Sequence, residues 1–223
     1  MKDELKILRV FSKTIEHREY PGPKLHDGLF PKFITSEAKC EPKHEQYALH
    51  KKIRRTNPAI DVMDREFKEL NKQNKIPSIT MRRKYQSMVF NAEVKVLKSG
   101  FDIILCTCNE ASSHRIAKSV RPVYCIVDEC AMCTEPECMV PIQRAEHVVL
   151  IGDHQQLRPV IKSREAEAKG LGKSLFERYA QKDGKGPPLQ KPHMLKIQYR
   201  MVSMLIITEL CCIVFAYTAQ ENL

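Results

Sequence analysis

Two acidic residues stand side by side at Asp128-Glu129, directly after the apolar run Val123-Tyr-Cys-Ile-Val127. A second polar run, Gly152-Asp-His-Gln-Gln-Leu-Arg-Pro159, begins 24 residues after Asp128 and follows His147-Val-Val-Leu-Ile151. Adjacent carboxylates can divide the work of hydrolysing a nucleoside triphosphate. Asp128 would reach the Mg²⁺ that bridges the phosphates, and Glu129 would act as general base on water. The Gln156 amide would sense a terminal phosphate by hydrogen bonding without adding charge, and Pro159 would stiffen the loop behind it. Taken singly, an acidic pair opening a loop and a polar turn are ordinary surface features. Their order and spacing, each after a strand-like run, favour reading them together. Arg200, in Gln198-Tyr-Arg-Met201, adds an always-charged guanidinium suited to phosphate and to charge developing in transfer.

Positioning these groups calls for a sheet. Leu5, Ile7, Leu8 and Val10 form one apolar run, and Phe101-Asp-Ile-Ile-Leu-Cys-Thr107 another, ahead of the two already named. A helix is expected around Glu137, Met139, Val140 and Ile142, a second over 174–180, and a further strand from His193 to Ile197. Short apolar runs alternating with helical segments predict an α/β fold with a parallel sheet covered on both faces and ligands at the strands' carboxyl ends. From Glu45 to Lys98 the pattern changes. Tyr47, Leu49, Ile53, Phe67, Leu70, Tyr85, Met88 and Val89 recur among many Lys and Arg, which predicts two or three amphipathic helices. Residues 20–44 collect Pro21, Gly22, Pro23, Pro31 and Pro42 and read as loop. Val202 to Tyr217 is strongly apolar but shorter than the roughly 20 residues that cross a bilayer, with Glu209 inside it.

The 223 residues are 43% hydrophobic, enough for a core, and carry a net charge of +10, which suits a polyanion: nucleic acid, nucleotide or an acidic membrane surface. The start Met-Lys-Asp-Glu-Leu-Lys shows no targeting signal, so cytoplasm, nucleus or both are expected and no membrane partner is. Nine cysteines, an odd number at irregular spacing, read as reduced thiols. Cys130, Cys133 and Cys138, with Cys125 and His147 nearby, offer a rival zinc reading. Cys-x₂-Cys is a fair half-site, but no second matched half follows.

The runs Asp128-Glu-Cys-Ala-Met-Cys-Thr-Glu-Pro-Glu-Cys-Met-Val-Pro141, Gly152 to Pro159, Ser174-Leu-Phe-Glu-Arg178 and Gln198-Tyr-Arg-Met201 together resemble the up-frameshift-like superfamily 1 helicases. Leu8-Arg-Val10, Leu49-His-Lys-Lys-Ile-Arg54, Ile104-Leu-Cys-Thr-Cys108 and His193-Met-Leu195 extend the resemblance toward a branch that also bears zinc-finger domains. The resemblance spans most of residues 5–201. It implies ATP and Mg²⁺ as cofactors, with Asp128 coordinating magnesium, Glu129 activating water, Gln156 coupling the γ-phosphate to the nucleic-acid site and Arg200 contacting phosphate. Thr107 and Cys108 match a strand-end motif that touches the nucleic-acid backbone. RNA is the favoured strand, DNA stays open, and protein partners in a coactivator role are implied by resemblance alone.

The implied organisation is a partial RecA-like domain over 1–201, with a mainly helical basic insertion at 44–98 that overlies the nucleic-acid path, and a divergent apolar tail at 202–223. No Gly-x-x-x-x-Gly-Lys-Ser/Thr occurs, so the loop that cradles β- and γ-phosphates is missing from the sequence. In the family it lies upstream of Leu5 to Val10, which implies a chain that begins late. A second motor domain is expected after Met201, where the apolar tail stands instead. The expectation is a chain that by itself neither hydrolyses ATP at a helicase-like rate nor unwinds duplexes.

Overall fold

A computed structural model describes residues 5–20, 42–73, 75–180 and 193, together with the backbone of 213–216. The chain opens with strand β1 (Ile7–Arg9) and helix α1 (Lys13–Glu19), then resumes in a 3-10 turn at Pro42–Tyr47. Three helices follow, α2 (Leu49–Thr56), α3 (Pro58–Lys72) and α4 (Ile79–Leu97), where the basic amphipathic pattern predicts them. Pro58 occupies the first turn of α3, where its missing N–H removes no hydrogen bond, and the Ser78 hydroxyl caps α4 by accepting from the Met81 N–H at 3.2 Å. Gly100, at φ 83°, takes the left-handed conformation that turns the chain out of α4 toward strand β2 (Ile103–Cys106).

Short helices α5 (Cys108–Ala111) and α6 (His114–Ser119) lead to β3 (Tyr124–Val127), a 3-10 turn at Cys130–Met132 and α7 (Glu135–Ile142). Thr134 and Glu137 form a reciprocal capping box at the start of α7. Strand β4 (His147–Leu150), α8 (Arg164–Ala168), α9 (Leu175–Ala180) and β5 (Ile213–Ala216) complete the described elements. No helix among the described residues is long and apolar enough to cross a membrane.

The sheet order is β1-β2-β5-β3-β4. β1 pairs in parallel with β2, and β3 with β4, as expected for an α/β fold. Strand β5 runs antiparallel between the two pairs, its Phe215 aligned with Ile104 on one side and Cys125 on the other. That strand comes from the apolar tail. Ile213-Val-Phe-Ala216 is rich in β-branched and aromatic residues, which favour extended backbone. The expected strand from His193 to Ile197 lies outside the described residues apart from His193, as do the loop residues 21–41.

Leu8, Leu49, Ile53, Ile60, Phe67 and Ile104 are fully buried and join the sheet to α2 and α3 in one core. Expected coverage of both sheet faces fails at β4. Val148 and Val149 point to opposite faces, yet are 40% and 44% exposed. Among the described residues β4 is the last strand of the sheet, and apolar character alone cannot bury a strand that has neither a neighbour beyond it nor helices over it.

A buried ionic cluster, invisible in the sequence, ties the helices to one another. The Arg115 guanidinium donates to Glu16 at 2.8 Å, Glu93 at 2.6 Å, Glu110 at 2.9 Å and the Phe11 carbonyl at 2.7 Å. Nearby, Arg54 pairs with Asp64 at 2.7 Å, donates to the His50 carbonyl and lies over the Tyr20 ring at 3.5 Å. Burial and the hydrogen bond to Asp64 push the Tyr85 hydroxyl above its ordinary pKa.

Candidate functional site

Because β2 and β3 both run antiparallel to β5, they run parallel to each other, and Cys106 and Val127 lie level across Ile213. Thr107 and Asp128 therefore leave the same carboxyl edge of the sheet, two strand spacings or about 10 Å apart. Leu150 is level with Val127, so the Gly152 loop leaves that edge as well. Parallel pairing gathers the chemistry-bearing positions at one end.

The two motifs are in direct contact. The Cys130 N–H donates to the Ile151 carbonyl at 2.9 Å, just after the acidic pair and just before Gly152. A Cβ at Gly152 would lie 3.0 Å from the Ala131 nitrogen and 3.2 Å from the Cys130 sulfur, so glycine is needed there for close approach. Glu129 turns the chain back toward this contact in a left-handed conformation, φ 52° and ψ 35°, which is sparsely populated for a residue with a side chain. Among the described residues it is the one non-glycine at positive φ. Backbone strain thus coincides with the acidic pair.

Asp128 is exposed, and its Oδ1 accepts from the Glu129 N–H at 3.0 Å. In the second loop, Asp153 accepts from the Gln155 N–H and from the Gln156 side-chain amide, both at 2.9 Å. The Gln155 backbone bond, followed by the Gln156 bond, holds the Asp153 carboxyl below the usual carboxylate range. Gln156 is oriented by Asp153, a relation the sequence reading lacked. Pro159 is buried, which anchors the loop's far end. Arg158 reaches Glu177 of α9 at 3.0 Å, and Arg178 pairs with Glu135 of α7 through two bonds of 2.7 and 2.8 Å. The Ser174-to-Arg178 run therefore braces both motif loops.

At the β2 end, the Thr107 hydroxyl caps α5 by accepting from the Glu110 N–H at 3.3 Å. Cys108 is buried, with its Sγ 3.7 Å from that of Cys133. Of the nucleic-acid positions read from the sequence, Thr107 is the more accessible, and Cys108 offers its backbone. Arg200 lies outside the described residues. Among those residues no three His, Cys, Asp or Glu side chains converge as a ready metal cage. Exposed carboxylate oxygen at Asp128 still suits a hard cation that takes its other ligands from phosphate and water, as Mg²⁺ does.

A family profile described as an AAA domain matches residues 2–164, from before β1 to the first residue of α8. The chain belongs to that family. Its relatives place it among the superfamily 1 helicases of the up-frameshift type. It is 35% identical over 205 residues to the mouse (Mus musculus) 3'-5' exoribonuclease HELZ2, covering 90% of this chain and 6% of that protein. It is 36% identical over 162 residues to the Neurospora crassa homolog of regulator of nonsense transcripts 1, covering 69% of this chain and 13% of that protein. The ATP-dependent helicase NAM7 of Saccharomyces cerevisiae is 38% identical over 120 residues, 53% of this chain and 11% of that protein. The chain therefore spans a small part of the length of each of these curated relatives.

Proposed function

We propose that this chain is part of the first motor domain of an ATP-dependent RNA or DNA helicase, with RNA favoured. The supporting observation is the contact between the two motif loops, Gly152 against Ala131 and Cys130, at the edge from which Thr107 also leaves. In this reading Asp128 holds Mg²⁺, which supplies charge neutralisation on the phosphate oxygens when bound. Glu129 takes the proton from the attacking water. Gln156, fixed by Asp153, hydrogen-bonds the terminal phosphate, and Arg200 supplies a cation to it. Thr107 and the Cys108 backbone contact the nucleic-acid strand about 10 Å away along the same edge, close enough for one rigid sheet to couple the two ligands.

Parallel α/β sheets place ligands at this end because the loops leaving the strands are free to diverge there while the strands stay fixed. The helical insertion at 44–98 lies over the nucleic-acid path, and a second motor domain completes the ATP cleft. A second reading, a nucleic-acid-binding or scaffold fragment without turnover, is favoured by the lack of a Gly-x-x-x-x-Gly-Lys-Ser/Thr run among the 223 residues. Both readings place the site in the cytoplasm or nucleus.

Two measurements on the purified chain decide between them. Mg-ATP should raise the thermal unfolding midpoint, with the rise lost in Asp128→Asn; no rise in the parent chain would favour the scaffold reading. Nucleic-acid-stimulated ATP hydrolysis should be absent or far below a helicase-like rate. Robust turnover that disappears in Glu129→Gln would show instead that the chain is a complete catalyst.

A further inference from the structure

We propose that Cys108 and Cys133 are a redox-closable pair, whose oxidation to a disulfide staples the end of β2 to the loop that follows the Asp128-Glu129 turn. Their Sγ atoms are 3.7 Å apart and both residues are buried, although 25 positions separate them in sequence. A disulfide bond is about 2.05 Å long, so closure draws the sulfurs together by about 1.7 Å. Cys133 sits between the 3-10 turn at Cys130–Met132 and the Thr134 cap of α7, so the shift falls on backbone outside regular secondary structure.

The neighbouring thiols are less suited. Cys125 and Cys138 are wholly buried, and that burial pushes their thiols up to about 11 and about 12. The Cys130 sulfur faces the Gly152 backbone.

The oxidant is an organic disulfide such as oxidised glutathione. When the linker that carries Cys133 opens to solvent, its thiol loses a proton to water and attacks one sulfur of that disulfide, a mixed disulfide forms, and the first glutathione leaves as a thiolate that takes up the proton. Cys108 then attacks the Cys133 sulfur, the mixed disulfide breaks, and the second glutathione leaves with the second proton. Two protein thiols are oxidised and one glutathione disulfide is reduced. The resulting bond fixes α5, which begins directly after Thr107, to the loop whose Cys130 N–H holds β4. Coupling between the proposed nucleic-acid and nucleotide positions would then depend on redox state, a consequence that rests on the proposed function. The bond itself does not.

The full chain, incubated with oxidised glutathione and then alkylated in denaturant, should give a Cys108–Cys133 cross-linked peptide as the predominant product on peptide mapping. Its thermal midpoint should rise on oxidation and return with reductant, and both changes should be lost in Cys133→Ser and in Cys133→Ala but kept in Cys138→Ser. Mapping of the parent chain needs no variant to fold. Predominant cross-links through Cys130, Cys138, Cys211 or Cys212, or mixed disulfides alone, would overturn the pairing. Because the readout is a covalent bond, it stands or falls separately from any binding of ATP or nucleic acid.

Discussion

Around Arg115 a guanidinium and the three carboxylates that hold it are all buried, whereas Asp128 and Asp153 stand exposed on loops fixed by backbone contacts. The two regions answer different demands. Buried charge is tolerated only with partners on every side, so the cluster joining α1, α4, α5 and α6 has little freedom to rearrange. Groups proposed to meet a phosphate or a metal, as Asp128 is, must stay accessible, and their geometry has to come from the main chain instead. Here that geometry comes from a left-handed residue at Glu129, a glycine at 152 and one hydrogen bond from Cys130 to Ile151.

This contrast is open to three tests of decreasing size. Replacing Arg115 with Met strands Glu16, Glu93 and Glu110 in the interior and should destabilise the chain by about 3–5 kcal/mol, the range for breaking a buried ion pair. That is a large part of the whole stability of a small domain, so low soluble yield or a greatly reduced urea midpoint is expected. A midpoint within experimental error of the parent would mean that the cluster is not structural. Gly152→Ala should cost about 1–3 kcal/mol, as the Ala131 backbone is forced to move. Hydrogen exchange at the Cys130 N–H should speed up in that variant. Unchanged exchange would show that the two loops are held by something other than close approach.

The smallest effect is expected from pH. Burial is the main cause that holds the His50 imidazole below its ordinary 6.5, while the hydrogen bond to Glu19 and the charge of Glu16 pull the other way. The unfolded chain therefore takes up this proton first on acidification. The contribution of neutral His50 to stability is complete above about pH 6.5 and is lost as pH falls through the folded value. Among the described residues its Nδ1 is buried without a hydrogen-bond partner while Nε2 faces Glu19 at 3.1 Å, as suits a neutral ring that donates from Nε2. Urea midpoints followed from neutral to mildly acidic pH should fall less steeply in His50→Gln than in the parent. Equal slopes would place the acid sensitivity in the carboxylates alone.

The sequence by itself determined the four parallel strands, the three helices between Leu49 and Leu97 and the position of both motifs at strand ends. Apolar runs, helical periodicity, caps and turn residues act on near neighbours, so the one-dimensional pattern carries them. The Asp128-Glu129 pair and the Gly152-to-Pro159 run are legible for that reason. Tertiary structure alone decided which distant groups meet. Arg115 reaches Glu16 across 99 positions and Glu93 across 22, Cys108 meets Cys133, and Gly152 presses against Ala131. It also decided that β4 is exposed and that part of the apolar tail enters the sheet antiparallel. None of these has a local signature. Each depends on how strands and helices cross in space, where a charge finds its partners and a backbone its nearest approach only after the chain has folded.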